Sequence, residues 1–238
     1  MNGKPLEQVA LITGSSRGLG KYLSLELAKK GIETILLART VGALEELYDD
    51  IKKIGTKSTI VPLDLNDNDA IDNLGFELNK KWGKLDILIL NAAITNELTP
   101  LSHLKPDTWD NVIKTNLTSN YRLIRSLEQL LKLSKEGKAL FVLDKETNKN
   151  KPFHIPYSVS KEGLKKLAKI WAKEISHSNI DVYFCYPPKM NTSLRKTIIP
   201  GSKDTQFDNP SIIAKKIIHN LLKNKKNNIG KVNKILFN

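Results

Sequence analysis

Residues 9–20 constrain the fold of this chain more than any other segment. They read VALITGSSRGLG, an apolar run that ends at Thr13 and is followed by three glycines. Gly14 permits a sharp exit from a strand, Gly18 lets the backbone approach a phosphate, and Gly20 lets the following helix pack closely on the sheet. The first N–H groups of that helix have no partners within it and attract anions. The segment therefore predicts a strand, a turn and a helix that bind a dinucleotide.

Apolar runs alternate with segments of helical periodicity along the rest of the chain. The predicted strands are 8–13, 33–38, 58–63, 85–91, 138–143, 180–186 and 232–237. The predicted helices are 18–30, 42–54, 67–81, 107–133, 157–177 and 211–224. Most of these strands lack an apolar/polar alternation, as expected when helices cover both faces of a parallel sheet. This pattern predicts the α/β class, a doubly wound parallel sheet of the Rossmann type.

Composition limits the kind of protein. The chain has 238 residues without a Pro/Gly/Ser-rich linker, so residues 1–238 are predicted to form a single domain with an ample core. Its one cysteine, Cys185, excludes a disulfide framework and suits a reducing compartment. No charged-then-apolar leader begins the chain, and no apolar stretch approaches the roughly 18 residues of a membrane span. We expect a soluble, cytoplasmic protein.

The formal net charge of +13 raises the question of nucleic-acid binding. The lysines are spread over many segments, and the densest run, residues 223–226, has no interleaved aromatic residues on which bases stack. We therefore expect no specific nucleic-acid partner, although the charge favours an anionic cofactor or substrate. His103, His177 and His219 have no partners at metal-ligand spacing, so no metal site is expected.

The end of the second predicted strand indicates the cofactor. At this place in the fold an acidic side chain binds the ribose hydroxyls of NAD, whereas a basic one accommodates the phosphate of NADP. The chain has Arg39 and no carboxylate there, and Arg17 in the glycine turn can approach the same phosphate. These arginines favour NADP(H). Asp64, which ends the third strand, either accepts from the adenine amino group or caps a turn with Asn66.

Tyr157 and Lys161 lie one helical turn apart where a predicted helix follows the fifth strand. An ammonium near a phenol favours the phenolate and lowers the phenol pKa from about 10 toward neutrality, which produces a general acid/base. Tyr48 and Lys52 have the same spacing, but in the middle of a predicted helix. The ligand-facing position selects Tyr157 and Lys161 as the catalytic pair.

These motifs together resemble the short-chain dehydrogenase/reductase family over essentially the whole chain. The matching residues are Thr13 to Gly20 for the T-G-x-x-x-G-x-G turn, Asp64 and Leu65 for the adenine contact, Asn91 and Ala92 for the core of N-N-A-G, Asn116 for the helix asparagine, and Tyr157 to Lys161 for Y-x-x-x-K. The resemblance implies an NADP(H)-dependent oxidoreductase that transfers a hydride between nicotinamide and a carbonyl or imine substrate. It implies that Tyr157 exchanges the proton, Lys161 holds the nicotinamide ribose, and Asn116 positions a water.

The resemblance also extends the set of predicted cofactor contacts and implies an assembly. The predicted contacts are Gly14, Ser15, Ser16, Arg17, Gly18, Leu19, Gly20, Arg39, Asp64, Leu65, Asn91, Ala92, Tyr157, Lys161 and Thr192. Leu90, Ala93 and Pro188 depart from the family pattern beside these contacts. By the same resemblance, helices 107–133 and 157–177 pair between subunits, giving a homodimer or homotetramer.

Asp144 is the departure with the largest chemical consequence. In the family a serine thirteen residues before the tyrosine donates to the substrate carbonyl, and that count from Tyr157 reaches Asp144. An ionised aspartate only accepts hydrogen bonds and repels an alkoxide. Either Asp144 is protonated, or the substrate is polar or cationic, such as an iminium, or the reaction is lost. Two further alternatives are that Asp144 only begins a charged loop without a catalytic role, and that a shift in register lets Thr147 supply the hydroxyl. The alternative function is an NADP(H)-binding sensor or scaffold with reduced catalysis.

Overall fold

The computed structural model describes residues 8–198, 207–223, 231–235 and 237. Several predicted features lie outside the described residues: the start of the chain, the helix end at 224, the lysines at 225 and 226, and residue 236 of the last predicted strand. The strands are β1 (Val9–Thr13), β2 (Glu33–Ala38), β3 (Ser58–Pro62), β4 (Ile87–Leu90), β5 (Gly137–Val142), β6 (Ile180–Cys185) and β7 (Asn233–Ile235). The helices are α1 (Gly18–Ala28), α2 (Val41–Ile54), α3 (Asn68–Trp82), α4 (Pro106–Ile113), α5 (Ser119–Lys132), α6 (Ile155–Glu174), α7 (Ser193–Ile198) and α8 (Pro210–Lys223).

The seven strands form one parallel sheet in the order β3-β2-β1-β4-β5-β6-β7. In register, Thr13 of β1 pairs with Leu37 of β2, and Ile12 pairs with Ile89 of β4. The order reverses between β1 and β4, and in such sheets the crevice beyond the carboxyl ends at this reversal binds ligands. This architecture confirms the predicted α/β class with a doubly wound parallel sheet.

Both faces of the sheet are covered, which explains the continuous apolar runs of the strands. Leu11 of β1 packs in a cluster with residues of α3, α5 and α6, whereas Ala10 and Ile12 pack in a cluster with residues of α1 and α8. All five residues of β1 are buried. Because the side chains of a strand alternate between faces, an apolar residue is needed at every position of such a strand. Within the described residues, no helix is both long and apolar enough to cross a bilayer.

The predicted helix over 107–133 is confirmed as an uninterrupted helical run over residues 106–132, but it contains a π turn that the sequence analysis did not predict. The segment begins as α4, passes through a π-helical turn at Lys114–Thr118, and continues as α5. A π turn adds a residue to the helix and changes the direction of the side chains that follow, often at functional sites. Asn116 lies within this turn, and its buried side chain bonds to the backbone of Ile94. Hydrophobic periodicity does not reveal the π turn, because apolar residues recur at helical spacing on both sides of it.

Candidate active site

The glycine turn after β1 has the geometry that its sequence requires. Gly14 and Gly18 have positive φ angles of 66° and 56°, which favour glycine. A Cβ atom on Gly20 would lie 2.1 Å from the carbonyl oxygen of Gly14. The start of α1 is therefore pressed against the turn, and no side chain fits between them.

A second group of contacts fixes this turn to the loop after β4. The Thr13 hydroxyl oxygen accepts from the backbone N–H groups of Asn91 and Ala92, both at 3.0 Å. The Asn91 side chain donates back to the Thr13 carbonyl at 2.9 Å. Leu90, which departs from the family pattern, is fully in the core. Asn91 thus joins the two strands that border the crevice and supports the glycine turn.

A cleft of about 500 Å³ opens at the carboxyl ends of the strands. The predicted site residues that line it are Gly14, Ser16, Arg17, Gly18, Leu19, Arg39, Asp64, Leu65, Asn91, Ala92, Asp144, Tyr157, Lys161 and Thr192. Three other predicted site residues do not line the cleft but lie behind the residues that do: Ser15, Gly20 and Asn116. The Ser15 hydroxyl is buried and donates to the Leu37 carbonyl at 3.3 Å, so its side chain supports the turn from below.

The two arginines predicted to select the cofactor lie at one end of the cleft. Arg39 follows β2, and its Nη1 atom lies 3.7 Å from Oδ2 of Asp64. Both side chains are about half exposed, at 59% and 47%. Asp64 also accepts from the backbone N–H of Asn66 at 2.9 Å, which is the turn cap that the sequence allowed. Arg17 is exposed at the N-cap of α1 and makes no side-chain capping bond there.

These features together fit a nicotinamide dinucleotide. The N-cap residue of α1 leaves the first helical N–H groups without a side-chain acceptor, and they face the cleft next to Gly18. The bend at Gly18 brings the turn near Thr192, whose methyl carbon would lie 3.6 Å from a Cβ atom at Gly18. Arg17 and Arg39 supply positive charge at the same end. Glycines, free donors and cations are the groups that the phosphates of a dinucleotide require.

Tyr157 and Asp144 are in direct contact in the opposite part of the cleft. The Tyr157 hydroxyl donates to Oδ2 of Asp144 at 3.2 Å, and Oδ1 of Asp144 accepts from the backbone N–H of Glu146 at 2.8 Å. Tyr157 is only 6% exposed. The carboxylate of Asp144 therefore lies at the cleft with the Tyr157 phenol bonded to it.

The prediction that Lys161 lowers the pKa of Tyr157 was wrong for this arrangement. Burial raises the pKa of Tyr157 well above its usual range, and the charge of Asp144 and its hydrogen bond raise it further, whereas the charge of Arg195 lowers it. The Lys161 ammonium instead donates to the Val142 carbonyl at 2.9 Å. Burial lowers the pKa of Lys161 to about 8, opposed by the charge of Asp144. Tyr157 is thus held as a neutral phenol whose proton is shared with Asp144.

Asn116 acts on the site from behind the cleft wall. Its Oδ1 accepts from the Ile94 N–H, and its Nδ2 donates to the Ile94 carbonyl, both at 2.8 Å. Nδ2 also donates to the Ser160 hydroxyl at 3.0 Å. Because Ser160 precedes Lys161 on α6, Asn116 links the π turn, the loop after β4 and α6.

Thr147 does not supply the hydroxyl that Asp144 lacks. It is buried, and its Oγ1 donates to the Asp144 carbonyl and lies 2.8 Å from Oε1 of Glu162 on α6. These contacts anchor the short helical turn at 145–149 on α6 and direct the hydroxyl away from the cleft. Asp144 is therefore the side chain that meets Tyr157.

Two site residues were missed by the sequence analysis. Ser160 lies inside the Tyr157 to Lys161 motif, and its partner Asn116 could have been found only from the fold. Arg195 lines the cleft from α7, and its charge acts on both Tyr157 and His154. Its only sequence signal is its place three residues after Thr192, on a segment that carries several other cations.

Comparison with known proteins identifies the family. The sequence profile of the family described as short chain dehydrogenase matches residues 8–203. The chain belongs to the short chain dehydrogenase family. It is 32% identical over 192 residues to the 3-oxoacyl-acyl-carrier-protein reductase FabG of Buchnera aphidicola subsp. Schizaphis graminum. The aligned region covers 81% of this chain and 77% of that protein. It is 25% identical over 198 residues to gluconate 5-dehydrogenase of Gluconobacter oxydans, covering 83% of this chain and 77% of that protein.

Solved structures agree with this assignment. A metagenomic short-chain oxidoreductase in complex with NADP superimposes with a TM-score of 0.80 at 25% identity, covering 97% of this chain and 98% of that one. A short chain dehydrogenase from Salmonella enterica subsp. enterica serovar Typhi has the same fold, with a TM-score of 0.90 at 21% identity and coverage of 98% and 99%. Short chain dehydrogenases are oxidoreductases that bind a nicotinamide cofactor. Among the described residues, no group of three or more His, Cys, Asp or Glu side chains is arranged to hold a metal ion.

Proposed function

We propose that this short chain dehydrogenase is an NADP(H)-dependent reductase of a carbon–nitrogen or carbon–oxygen double bond, with Tyr157 as the proton donor. The observation that carries the proposal is the 3.2 Å hydrogen bond between the neutral Tyr157 phenol and Asp144 on the wall of the cleft. A phenol held in its protonated form suits reduction, since reduction consumes a proton. The cofactor contacts proposed are those that line the cleft, with Ser15 and Gly20 shaping the turn.

The chemistry expected of the site follows from the groups around Tyr157. When bound, the nicotinamide supplies a hydride to the substrate carbon, and the electron pair of the reduced bond moves to nitrogen or oxygen. Tyr157 gives its proton to that nitrogen or oxygen and is reprotonated from solvent. Lys161 is proposed to hold the nicotinamide ribose. Asn116 is proposed to keep α6 in place and to position a water for reprotonation.

Asp144 favours an imine over a ketone as the substrate. A carboxylate beside the reacting bond destabilises the alkoxide that forms from a ketone. The same carboxylate stabilises the cation that forms when an imine nitrogen takes its proton before the hydride arrives. Asp144 is in the cleft and bonded to Tyr157, so a nitrogen that contacts the phenol also lies near the carboxylate. An imine that Tyr157 protonates within the cleft is therefore the preferred substrate class.

The test of this function is turnover of NADPH with a panel of imines, ketones, aldehydes and a 3-oxoacyl thioester. The thioester is included because the relative named above is a 3-oxoacyl-acyl-carrier-protein reductase. We expect NADPH oxidation with cyclic imines, faster than with ketones of the same carbon skeleton. An NADP(H)-binding sensor or scaffold remains the second candidate, since Asp144 replaces a donor. Absence of turnover across the panel despite NADPH binding would favour it, whereas the reductase and dehydrogenase names of the relatives support the enzyme.

Arg39→Ala is expected to weaken NADPH binding by about 10- to 100-fold, the range for a lost hydrogen-bonded charge contact. NADH lacks the phosphate that Arg39 is proposed to bind, so its affinity should change much less. Both dissociation constants can be measured by the change in nicotinamide fluorescence. Arg125→Ala is the matched control, because Arg125 is also an exposed arginine next to an aspartate, Asp72, but lies outside the cleft. Equal losses for NADPH and NADH would refute the phosphate assignment.

We propose a homodimer or homotetramer that uses α5 and α6, as the family resemblance implies. These helices expose Tyr121, Val159 and Ile170 in the single chain, and exposed apolar groups on neighbouring helices suit an interface. Sedimentation velocity at micromolar concentration is expected to give a dimer or larger species. Glu substitution of Val159 and Ile170 together should shift it toward the monomer. A monomeric parent protein would overturn this assembly.

A further inference from the structure

Arg195 is a charged cleft residue that the proposed chemistry does not use. It lies on α7 and lines the cleft together with Asp144 and Tyr157. Its guanidinium carbon lies 5.5 Å from the centre of the Phe207 ring, a distance at which a cation interacts with an aromatic face. Its backbone N–H lies 3.3 Å from the Thr192 hydroxyl. The Thr192 hydroxyl thus holds the backbone of Arg195, and the Phe207 ring holds its guanidinium group.

The guanidinium of Arg195 has unused hydrogen-bonding capacity. Among the residues that the structure describes, no carboxylate lies within 4.0 Å of it, and its buried Nε atom has no hydrogen-bond partner. Other arginines do have such partners, since Arg39 lies near Asp64, and Arg122 and Arg125 lie near Asp72. Leaving a buried donor unpaired costs free energy that a ligand can recover. A planar guanidinium with free donors is the usual partner of a carboxylate.

The position of Arg195 separates it from the arginines at the cofactor end. Arg17 and Arg39 line the cleft next to the glycine turn and β2. The positive charge of Arg195 instead lowers the pKa of both Tyr157 and His154, where the charge of Asp144 raises it. Arg195 and Asp144 are therefore opposite charges that face the same phenol. A substrate that satisfies both carries a positive nitrogen and a negative group within one molecule that fits the cleft.

We propose that Arg195 binds a carboxylate of the substrate, so that the preferred substrate is an imino acid: a cyclic imine with a carboxylate near its carbon–nitrogen double bond. This inference rests on the proposed reductase function and adds the group that determines specificity. Tyr157 gives its proton to the imine nitrogen, Asp144 stabilises the cation so formed until the hydride reaches carbon, and Arg195 forms paired hydrogen bonds with the carboxylate. The double bond is oriented because two charges of opposite sign fix the two ends of the substrate.

Binding of product-like ligands tests the role of Arg195 without requiring turnover. Proline carries the cationic nitrogen and the carboxylate, whereas prolinamide keeps the nitrogen and replaces the carboxylate by a neutral amide. We expect the NADP-loaded protein to bind proline at least about tenfold more tightly than prolinamide, measured by calorimetry. Arg195→Gln should remove most of this ratio, and Arg195→Lys should keep part of it because the charge remains without the planar fork. Arg125→Gln, outside the cleft, should leave the ratio unchanged.

Two results would overturn the inference. One is a proline-to-prolinamide ratio near one in the parent protein. The other is an Arg195→Gln variant that loses NADP affinity and keeps the ratio, which would make the cofactor phosphates the partner of Arg195. Turnover separates this inference from the reductase proposal. If uncharged cyclic imines and their carboxylates are reduced equally well, Arg195 does not select the substrate and the reductase stands; if none is reduced, the reductase proposal fails and the binding ratio still decides the role of Arg195.

Discussion

Tyr157→Phe is expected to lower NADPH-dependent turnover by about 10²- to 10⁴-fold, the usual contribution of a positioned general acid. The substitution removes only the hydroxyl, so the buried ring keeps its packing at the start of α6. The substrate nitrogen or oxygen then loses its proposed proton donor, while the glycine turn and the arginines proposed to hold the cofactor are untouched. Steady-state NADPH oxidation measures the loss, and NADPH binding should change little.

Tyr48→Phe is the matched control for this experiment. Tyr48 has the same spacing to Lys52 that Tyr157 has to Lys161, but it lies in α2 and packs against a cluster around Leu44 on that helix. Its removal should leave turnover at the level of the parent. If Tyr157→Phe turned over substrate as fast as the parent, the phenol would have no part in the reaction, and the sensor or scaffold function would be the better explanation.

The fold was predictable because its determinants are local. Parallel strands covered on both faces must be apolar at nearly every position, so β1 and β4 are visible in the sequence as apolar runs. The glycine turn was predictable because φ angles and close approach restrict Gly14, Gly18 and Gly20 in ways that other residues do not tolerate. These requirements involve residues close together in sequence, so the order of residue types along the chain is enough to predict them.

The electrostatics of the site were not predictable because they depend on distant segments. The four-residue spacing predicted that Lys161 lies one helical turn from Tyr157. The pKa of Tyr157, however, is set by its burial and by Asp144, which follows β5. The π turn at Lys114–Thr118 also escapes the sequence, since it depends on the fit of the Asn116 side chain to Ile94. Arg195 has no motif of its own, and only the fold places it in the cleft with Tyr157.

Asp144→Ser is expected to reverse the preference between imines and ketones. A serine hydroxyl can donate to a ketone oxygen and removes the charge that opposes the alkoxide, an effect worth about 10²- to 10³-fold for an oxyanion donor. Reduction of the protonated imine should slow, since its countercharge is gone. The measurement is the ratio of kcat/KM for a cyclic imine and for the ketone of the same skeleton. Asp144→Leu and Asp144→Asn together separate the two effects, because both remove the charge at similar size but only Asn supplies a hydrogen-bond donor.

The pH profile of the same variants tests whether Asp144 is ionised beside Tyr157. Reduction needs the phenol proton, so the rate falls as the pH rises above the pKa of Tyr157 in the folded protein. The charge of Asp144 raises that pKa, and it also raises the pKa of Lys161, which burial lowers to about 8. Removing the charge lowers both values, so the alkaline limb of kcat/KM in Asp144→Asn should move to lower pH. An unmoved limb would mean that Asp144 is neutral in the parent, and a neutral carboxyl group would donate to a ketone oxygen as the family serine does.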